Sequence, residues 1–71
     1  MEIFVFRTGV IDHTGISKIA PQLNSMTGIY KWNFDLDDHE KILRVEAAGI
    51  LPGQIVKVLE GMNYHCEELP D

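Results

Sequence analysis

Two alternating runs in the middle of the chain constrain its fold more than any other feature. In residues 30–36 and again in residues 41–47, apolar and polar side chains alternate, as they do in strands with one buried face. The apolar positions are Tyr30, Trp32, Phe34 and Leu36 in the first run and Leu43, Val45 and Ala47 in the second. A polar stretch at residues 37–40 separates the runs, so together they predict an antiparallel hairpin.

The elements on either side of the hairpin follow from composition and apolar spacing. Residues 2–7 are rich in β-branched and aromatic side chains and predict a first strand, and residues 64–69 predict a short last strand. Two apolar stripes at helical spacing predict one helix before the hairpin and one after it. The stripes are Ile16, Ile19, Ala20, Leu23 and Met26, and then Leu51, Ile55, Val58, Leu59 and Met62.

The predicted order is therefore β-α-β-β-α-β, within one domain that spans residues 1–71. This order is typical of the ferredoxin-like arrangement, an α+β fold in which two helices cover one face of a four-stranded antiparallel sheet. In that arrangement we expect Trp32 and Phe34 to be largely buried beneath the helices. Residues 29–36 and 64–69 are expected to form the two edge strands, whose outer backbone groups are unpaired.

Two residues at the first helix carry local predictions. Asp12 or Thr14 is expected to cap its start, because a short oxygen side chain accepts hydrogen bonds from the free amides of the first turn. Pro21 lies within the apolar stripe, lacks an amide hydrogen and crowds the preceding turn, so it predicts a kinked or shortened helix.

Charge and hydropathy exclude several classes of partner. Eleven acidic residues against six basic ones give a formal net charge of −5, which disfavours nucleic acid and anionic membrane surfaces. The longest apolar run without glycine, residues 3–6, is too short for membrane insertion or a signal peptide. A cytoplasmic location is therefore expected.

The loop after the first strand carries a resemblance to a known family. Residues 9–15 read Gly-Val-Ile-Asp-His-Thr-Gly, and Met62-Asn63-Tyr64 precedes the last strand. This pattern resembles the heavy-metal-associated domains of copper chaperones and metal-transporting ATPases, whose loop reads G-M-T-C-x-x-C and whose later motif reads Ala-Gly-Tyr. Gly9 and Val10 fit the family's loop, whereas Asp12 and Gly15 occupy its two cysteine positions. The resemblance implies the same ferredoxin-like fold and places Tyr64 near the loop.

The missing cysteine pair decides what the loop is expected to bind. A pair of thiolates suits a soft ion such as Cu(I), whereas a carboxylate suits harder ions and glycine has no side-chain ligand. With Asp12 and Gly15 in those positions, Cu(I) is not expected and no cofactor is expected. Replacing both residues with cysteine is expected to restore the family's site. The one cysteine, Cys66, is interpreted as a small core residue.

A mixed-ligand site stays open as an alternative. Asp12 and His13 are neighbours in the loop, and together with His65 or Cys66 they are candidate ligands for zinc or nickel. The simpler interpretation is that Asp12 caps the helix and that His13 is a solvated loop residue. The two further candidates point to opposite faces of a strand, so at most one of them faces inward.

The resulting interpretation is a non-catalytic heavy-metal-associated-like domain with a degenerate metal loop. It is expected to work as a protein-interaction module, binding a partner protein or a second copy through an edge strand. The first alternative is metal-ion binding or trafficking through the mixed Asp12 and His13 site. A second alternative is a small-molecule-binding regulatory module, because this fold hosts many functions. Catalysis is not expected, since the chain has neither a nucleophile elbow nor a phosphate-binding glycine loop.

Overall fold

The computed structural model describes residues 1–37 and 39–70 and contains the predicted elements in the predicted order. Asp38, which falls in the predicted hairpin turn, and Asp71 lie outside the described residues. The elements are β1 (Glu2–Thr8), α1 (His13–Ser25), β2 (Ile29–Asp35), β3 (Ile42–Ala47), α2 (Pro52–Gly61) and β4 (Cys66–Leu69). The ferredoxin-like βαββαβ fold is thereby confirmed.

The strands form one antiparallel sheet in the order β2-β3-β1-β4. β1 and β3 therefore lie in the middle, and β2 and β4 are the two edges, as the sequence predicts. The edges differ in length, since β2 spans seven residues and β4 only four. β2 is thus the longer free edge of the sheet.

Both helices pack on one face of this sheet around a single apolar core. The fully buried members are Phe6, Val10, Ile19, Leu23, Leu43, Val45, Ala47, Ile55 and Leu59. Within β1 the alternation selects one face, because Phe4 and Phe6 are buried whereas Ile3 is 53% exposed. The opposite face of the sheet carries the alternate residues of each strand and is left without a covering layer.

β2 departs from the sequence prediction at one point. Ile29 pairs with Ala47 and Lys31 with Glu46, so Tyr30 is an extra residue that forms a bulge and is 67% exposed. Tyr30 therefore does not share the buried face of the strand, which corrects the predicted alternation. Trp32 and Phe34 face the helices as predicted and are mostly buried, although less completely than Leu43 and Val45, because an edge strand has a covering neighbour on one side only.

The first helix begins and ends close to its prediction. Asp12 is the N-cap, which selects one of the two predicted capping residues. The helix continues through Pro21 to Ser25, so the proline does not shorten it. None of the helices in the part of the chain that the structure describes is long and apolar enough to cross a membrane.

Candidate functional site

The loop between β1 and α1 is anchored from within the protein. The Thr8 hydroxyl donates a hydrogen bond to the Lys41 carbonyl at 2.7 Å and accepts one from the Val10 amide at 3.2 Å. The Gly9 amide donates to the His65 carbonyl at 2.9 Å, which joins the loop to the segment before β4. Val10 is fully buried, whereas its neighbour Ile11 is 71% exposed. The loop therefore has a fixed inner side and a solvent-facing outer side.

Asp12, the first candidate ligand, is already used by the fold. Its Oδ1 atom accepts a hydrogen bond from the Gly15 amide at 2.9 Å, so the carboxylate caps α1. The side chain is otherwise exposed, and its negative charge lies at the positive end of the helix dipole. This geometry agrees with the simpler interpretation of Asp12.

Gly15, the second degenerate cysteine position, is buried in a tight contact. A Cβ atom added there would lie 2.9 Å from Val10 Cγ1 and 3.2 Å from the Tyr64 hydroxyl oxygen. Because Val10 is fully buried, any side chain at position 15 requires the core around it to shift. Replacement of Asp12 and Gly15 by cysteine, which is expected from sequence to restore a thiolate pair, therefore also requires Val10 and Tyr64 to move.

Tyr64 fills this space together with Val10, and sequence reasoning did not assign it that role. The resemblance places Tyr64 near the loop, and the structure brings its hydroxyl against Gly15. The spacing of 49 positions between the two residues gives no signal of the contact. The one signal in the sequence is that Gly15 stands at a cysteine position of the resembling family while Tyr64 matches the family's tyrosine.

His13 is exposed at the start of α1 and forms part of an open depression of about 340 Å³. Asp35, Asp37 and Arg44 line the same depression. Within residues 1–37 and 39–70, no three His, Cys, Asp or Glu side chains converge on a point where they would hold a metal ion. The structure thus brings no third ligand to Asp12 and His13, and the two remain predicted candidates.

Cys66 is buried, as expected for a core residue, and is 3% exposed. Burial, with a smaller contribution from the Glu60 carboxylate, raises the pKa of its thiol to about 12. The side chain of His65, in contrast, is 61% exposed. The two residues therefore face opposite sides of the chain, and Cys66 remains a neutral thiol near pH 7.

An ion-pair cluster on the uncovered sheet face was not anticipated from sequence. Arg7 in β1 contacts Glu40 at 2.7 Å and Glu67 in β4 at 3.3 Å. The Glu40 hydrogen bond and charge raise the pKa of the Arg7 guanidinium above its usual value. All three side chains are substantially exposed, so these ion pairs are expected to contribute little to stability.

Comparison with known proteins defines the class to which this architecture is similar. No protein-family model matches the chain, and no curated protein matches it by sequence. The fold, however, is shared with solved structures that include a yeast copper transporter domain, which confirms the fold that the resemblance implies.

Two solved structures carry this finding. The solution structure of the yeast copper transporter domain Ccc2A, in apo and Cu(I)-loaded states, has a TM-score of 0.86 and 19% identity, covering 100% of this chain and 99% of that one. A structure described as "Crosstalk between Cu(I) and Zn(II) homeostasis" has a TM-score of 0.79 and 17% identity, covering 97% of this chain and all of that one.

These neighbours correct one expectation. No cofactor was expected, Cu(I) was set aside, and zinc or nickel was kept only for an alternative site. The neighbours contradict that expectation, since one is a copper transporter domain with a Cu(I)-loaded state and the other is described by Cu(I) and Zn(II) homeostasis. The absence of one pair of thiolate ligands from the loop is therefore not sufficient to exclude a metal ion from a domain of this fold.

The donor atoms that the loop supplies determine which kind of metal site it can form. A two-thiolate site requires two sulfur ligands, and positions 12 and 15 supply a helix-capping carboxylate and a glycine. The chain's one thiol, Cys66, is buried. The residues of the loop therefore do not fit the thiolate site that the resemblance implies.

Proposed function

We propose that this chain is a non-catalytic, heavy-metal-associated-like domain of a metal-handling system, and that it works by binding another protein. The observation that supports the proposal is the packing at Gly15. Val10 and Tyr64 fill the space that a cysteine side chain at this position would need. A loop packed in this way keeps the shape of the fold without a thiolate pair. The copper-related descriptions of both structural neighbours support the metal-handling part of the proposal.

The sheet edges are the surfaces through which we propose that the partner binds. A strand at an edge has one row of backbone amides and carbonyls without strand partners, and an extended peptide segment can pair with that row. The sheet order gives the chain two such edges, β2 and β4. Backbone pairing supplies the affinity in this mode, and the side chains of the edge strand supply the specificity.

A peptide-display selection followed by amide chemical-shift mapping tests this function. We expect selected peptides to be extended and rich in β-branched residues, and to shift the amides of β2 or β4. Asp12→Asn, which keeps the helix cap, serves as the control variant and should bind the same peptides with unchanged affinity. Shifts confined to residues 9–15, or a selection that yields no binding peptide, would contradict the proposal.

Binding of a metal ion by the loop itself is the second candidate function. Asp12 and His13 are both exposed on the outer side of the loop, and the fold neighbours include a Cu(I)-loaded domain. Carboxylate and imidazole are ligands for borderline ions such as zinc and nickel. Since imidazole coordinates a metal ion only in its neutral form, affinity should fall on acidification.

Native mass spectrometry with copper, zinc and nickel distinguishes this second candidate. Binding at the loop should be abolished by His13→Ala and left unchanged by His39→Ala, which removes a histidine near the β2–β3 turn. Equal weakening by both variants would instead indicate nonspecific attraction of cations to an acidic protein.

A further inference from the structure

The side chains of β2 are arranged so that the strand is complementary to itself. On the uncovered face of the sheet lie Lys31, Asn33 and Asp35, in that order and all exposed. On the helix face lie Trp32 and Phe34, which pair with the buried residues Val45 and Leu43 of β3. The polar face thus begins with a positive charge, ends with a negative charge and has an amide midway between them.

We propose that two copies of this chain pair through their β2 edges, antiparallel and centred on Asn33. This pairing rests on the proposed function in one respect, that a sheet edge is a binding surface. It adds that the partner bound at the β2 edge is a second copy of the chain. Centring on Asn33 sets Lys31 of each copy opposite Asp35 of the other, which gives two symmetric ion pairs. Opposite charges directly across an antiparallel pair stabilise it, and like charges destabilise it.

The helix face of β2 supports the same register. In this pairing Trp32 of each copy lies opposite Phe34 of the other, and aromatic cross-strand pairs are among the more favourable ones. Both side chains are partly buried in one copy, where they form an edge-to-face pair with ring centroids 6.0 Å apart. Because both side chains stand on an edge strand and keep some exposed surface, we expect a second copy paired along β2 to cover part of it.

Registers centred on Trp32 or on Phe34 lose this complementarity within β2, because each sets Asn33 opposite a charged residue. A two-fold axis perpendicular to the sheet keeps the helices of both copies on the same side, so residues directly opposite each other must lie on the same face of the sheet. Centring on Trp32 would set Lys31 against Asn33, and Asp35 against Ile29. Lys31 forms no ion pair with any other residue in the described part of the chain. Its charge is therefore available to a second copy.

The Tyr30 bulge limits the length of the pairing. It lies at the first end of β2, before the complementary stretch 31–35, and a bulge twists an edge away from further pairing. Only about five residues from each copy therefore pair, and the surface that they bury is well below the area of a standard stable interface. We expect a weak dimer that forms at high protein concentration.

Sedimentation equilibrium on charge-reversed variants tests the register. Lys31→Asp sets two aspartates against each other in the homodimer, and Asp35→Lys sets two lysines against each other. Each variant alone should dimerise at least about tenfold more weakly than the parent, because two attractive pairs become repulsive. Mixed together, the two variants should form a heterodimer of about the parent's affinity, since every opposed pair is again of opposite sign.

Two controls separate register from net charge and from folding. Lys57→Asp in α2 makes the same charge change as Lys31→Asp away from β2, and it should leave dimerisation at the parent's level. Circular dichroism on each single variant checks that the fold is intact. The double variant Lys31→Asp/Asp35→Lys restores both opposed pairs in reversed orientation and should dimerise like the parent.

Three results would overturn self-pairing. They are a parent that stays monomeric at millimolar concentration, a Lys57→Asp variant weakened as much as Lys31→Asp, and single variants that do not recover dimerisation when mixed. None of them would remove the proposed interaction role, because peptide binding at β2 or β4 is measured separately. If instead selected peptides bind neither edge while the charge-swap mixture dimerises, self-pairing stands and the partner-protein proposal fails.

Discussion

The region around β1 and the edge strand β2 use their residues in opposite ways. β1 is paired on both sides, its Phe6 is fully buried, and the loop that follows is anchored by Thr8, Val10 and the Asp12 cap. β2 is paired on one side only and leaves two aromatic side chains partly buried. The loop after β1, where the resemblance implies a metal site, is thus held by packing contacts and hydrogen bonds. Backbone amides and carbonyls without a strand partner lie instead along the outer side of β2.

Substituting the same residue type in the two regions gives the most direct measure of this difference. Phe6→Ala should lower the free energy of unfolding by about 3–5 kcal/mol, because it leaves a cavity in a fully buried site. Phe34→Ala, on the same face of the sheet but at the edge, should cost roughly half as much. Urea denaturation at low protein concentration measures both values. Equal losses would mean that β2 is as fully packed as β1.

This contrast also shows what a sequence pattern can predict. Strict alternation assigned Trp32 and Phe34 to the core with the same strength as Leu43 and Val45, because alternation reports which face a residue occupies. How deeply that face is buried depends on the place of the strand in the sheet, which follows from long-range pairing. The helix cap at Asp12 is a local interaction, and it was therefore predictable. The Tyr30 bulge changes the register within one strand, and the sequence does not indicate it because Tyr30 fits the alternation of apolar and polar residues.

The candidate site was predictable to the same limited extent. The loop and its two degenerate positions follow from resemblance, and the carboxylate at position 12 has a local structural role. The crowding at Gly15 depends on Val10 and on Tyr64, which is distant in sequence. Packing between residues so far apart in the chain is determined by the folded structure and cannot be predicted from the sequence pattern.

Adding one methyl group at Gly15 tests whether the loop region is as tightly packed as its geometry indicates. Gly15→Ala should destabilise the protein by about 1–3 kcal/mol through overpacking against Val10. Gly53→Ala is the matched control in α2, where an added Cβ meets nothing within 4 Å, and it should be neutral or stabilising. In a Val10→Ala background the cost of Gly15→Ala should shrink, and thermal unfolding of the full cycle measures that coupling. Additive losses would show that Val10 is not the obstacle.

Removing the Asp12 side chain separates its capping role from a role as metal ligand. Asp12→Ala should lower the free energy of unfolding by about 1 kcal/mol, because the Gly15 amide loses its acceptor. Asp12→Asn keeps an acceptor oxygen and should retain most of the stability. Chemical denaturation of the metal-free protein gives both values. A loss in Asp12→Asn as large as that in Asp12→Ala would show that the carboxylate charge, rather than the cap, stabilises the loop.

The buried thiol beside β1 gives the smallest expected effect and has a defined sign. Burial raises the pKa of Cys66 from 9.0 to about 12, so above pH 9 the unfolded chain loses the thiol proton while the folded chain keeps it. Stability from this group is therefore complete below pH 9 and declines as the pH rises towards 12. By pH 9.5 the loss should be about 1 kcal/mol or less.

Because lysine and tyrosine side chains also titrate at high pH, the quantity to measure is the difference between the parent and Cys66→Ala in urea denaturation at pH 8 and 9.5. The parent should lose more stability than the variant over this interval, and identical losses would show that the thiol ionises as easily in the folded protein as in the unfolded chain. A thiol held neutral in this way belongs to the packed region around β1, where buried side chains stabilise the fold.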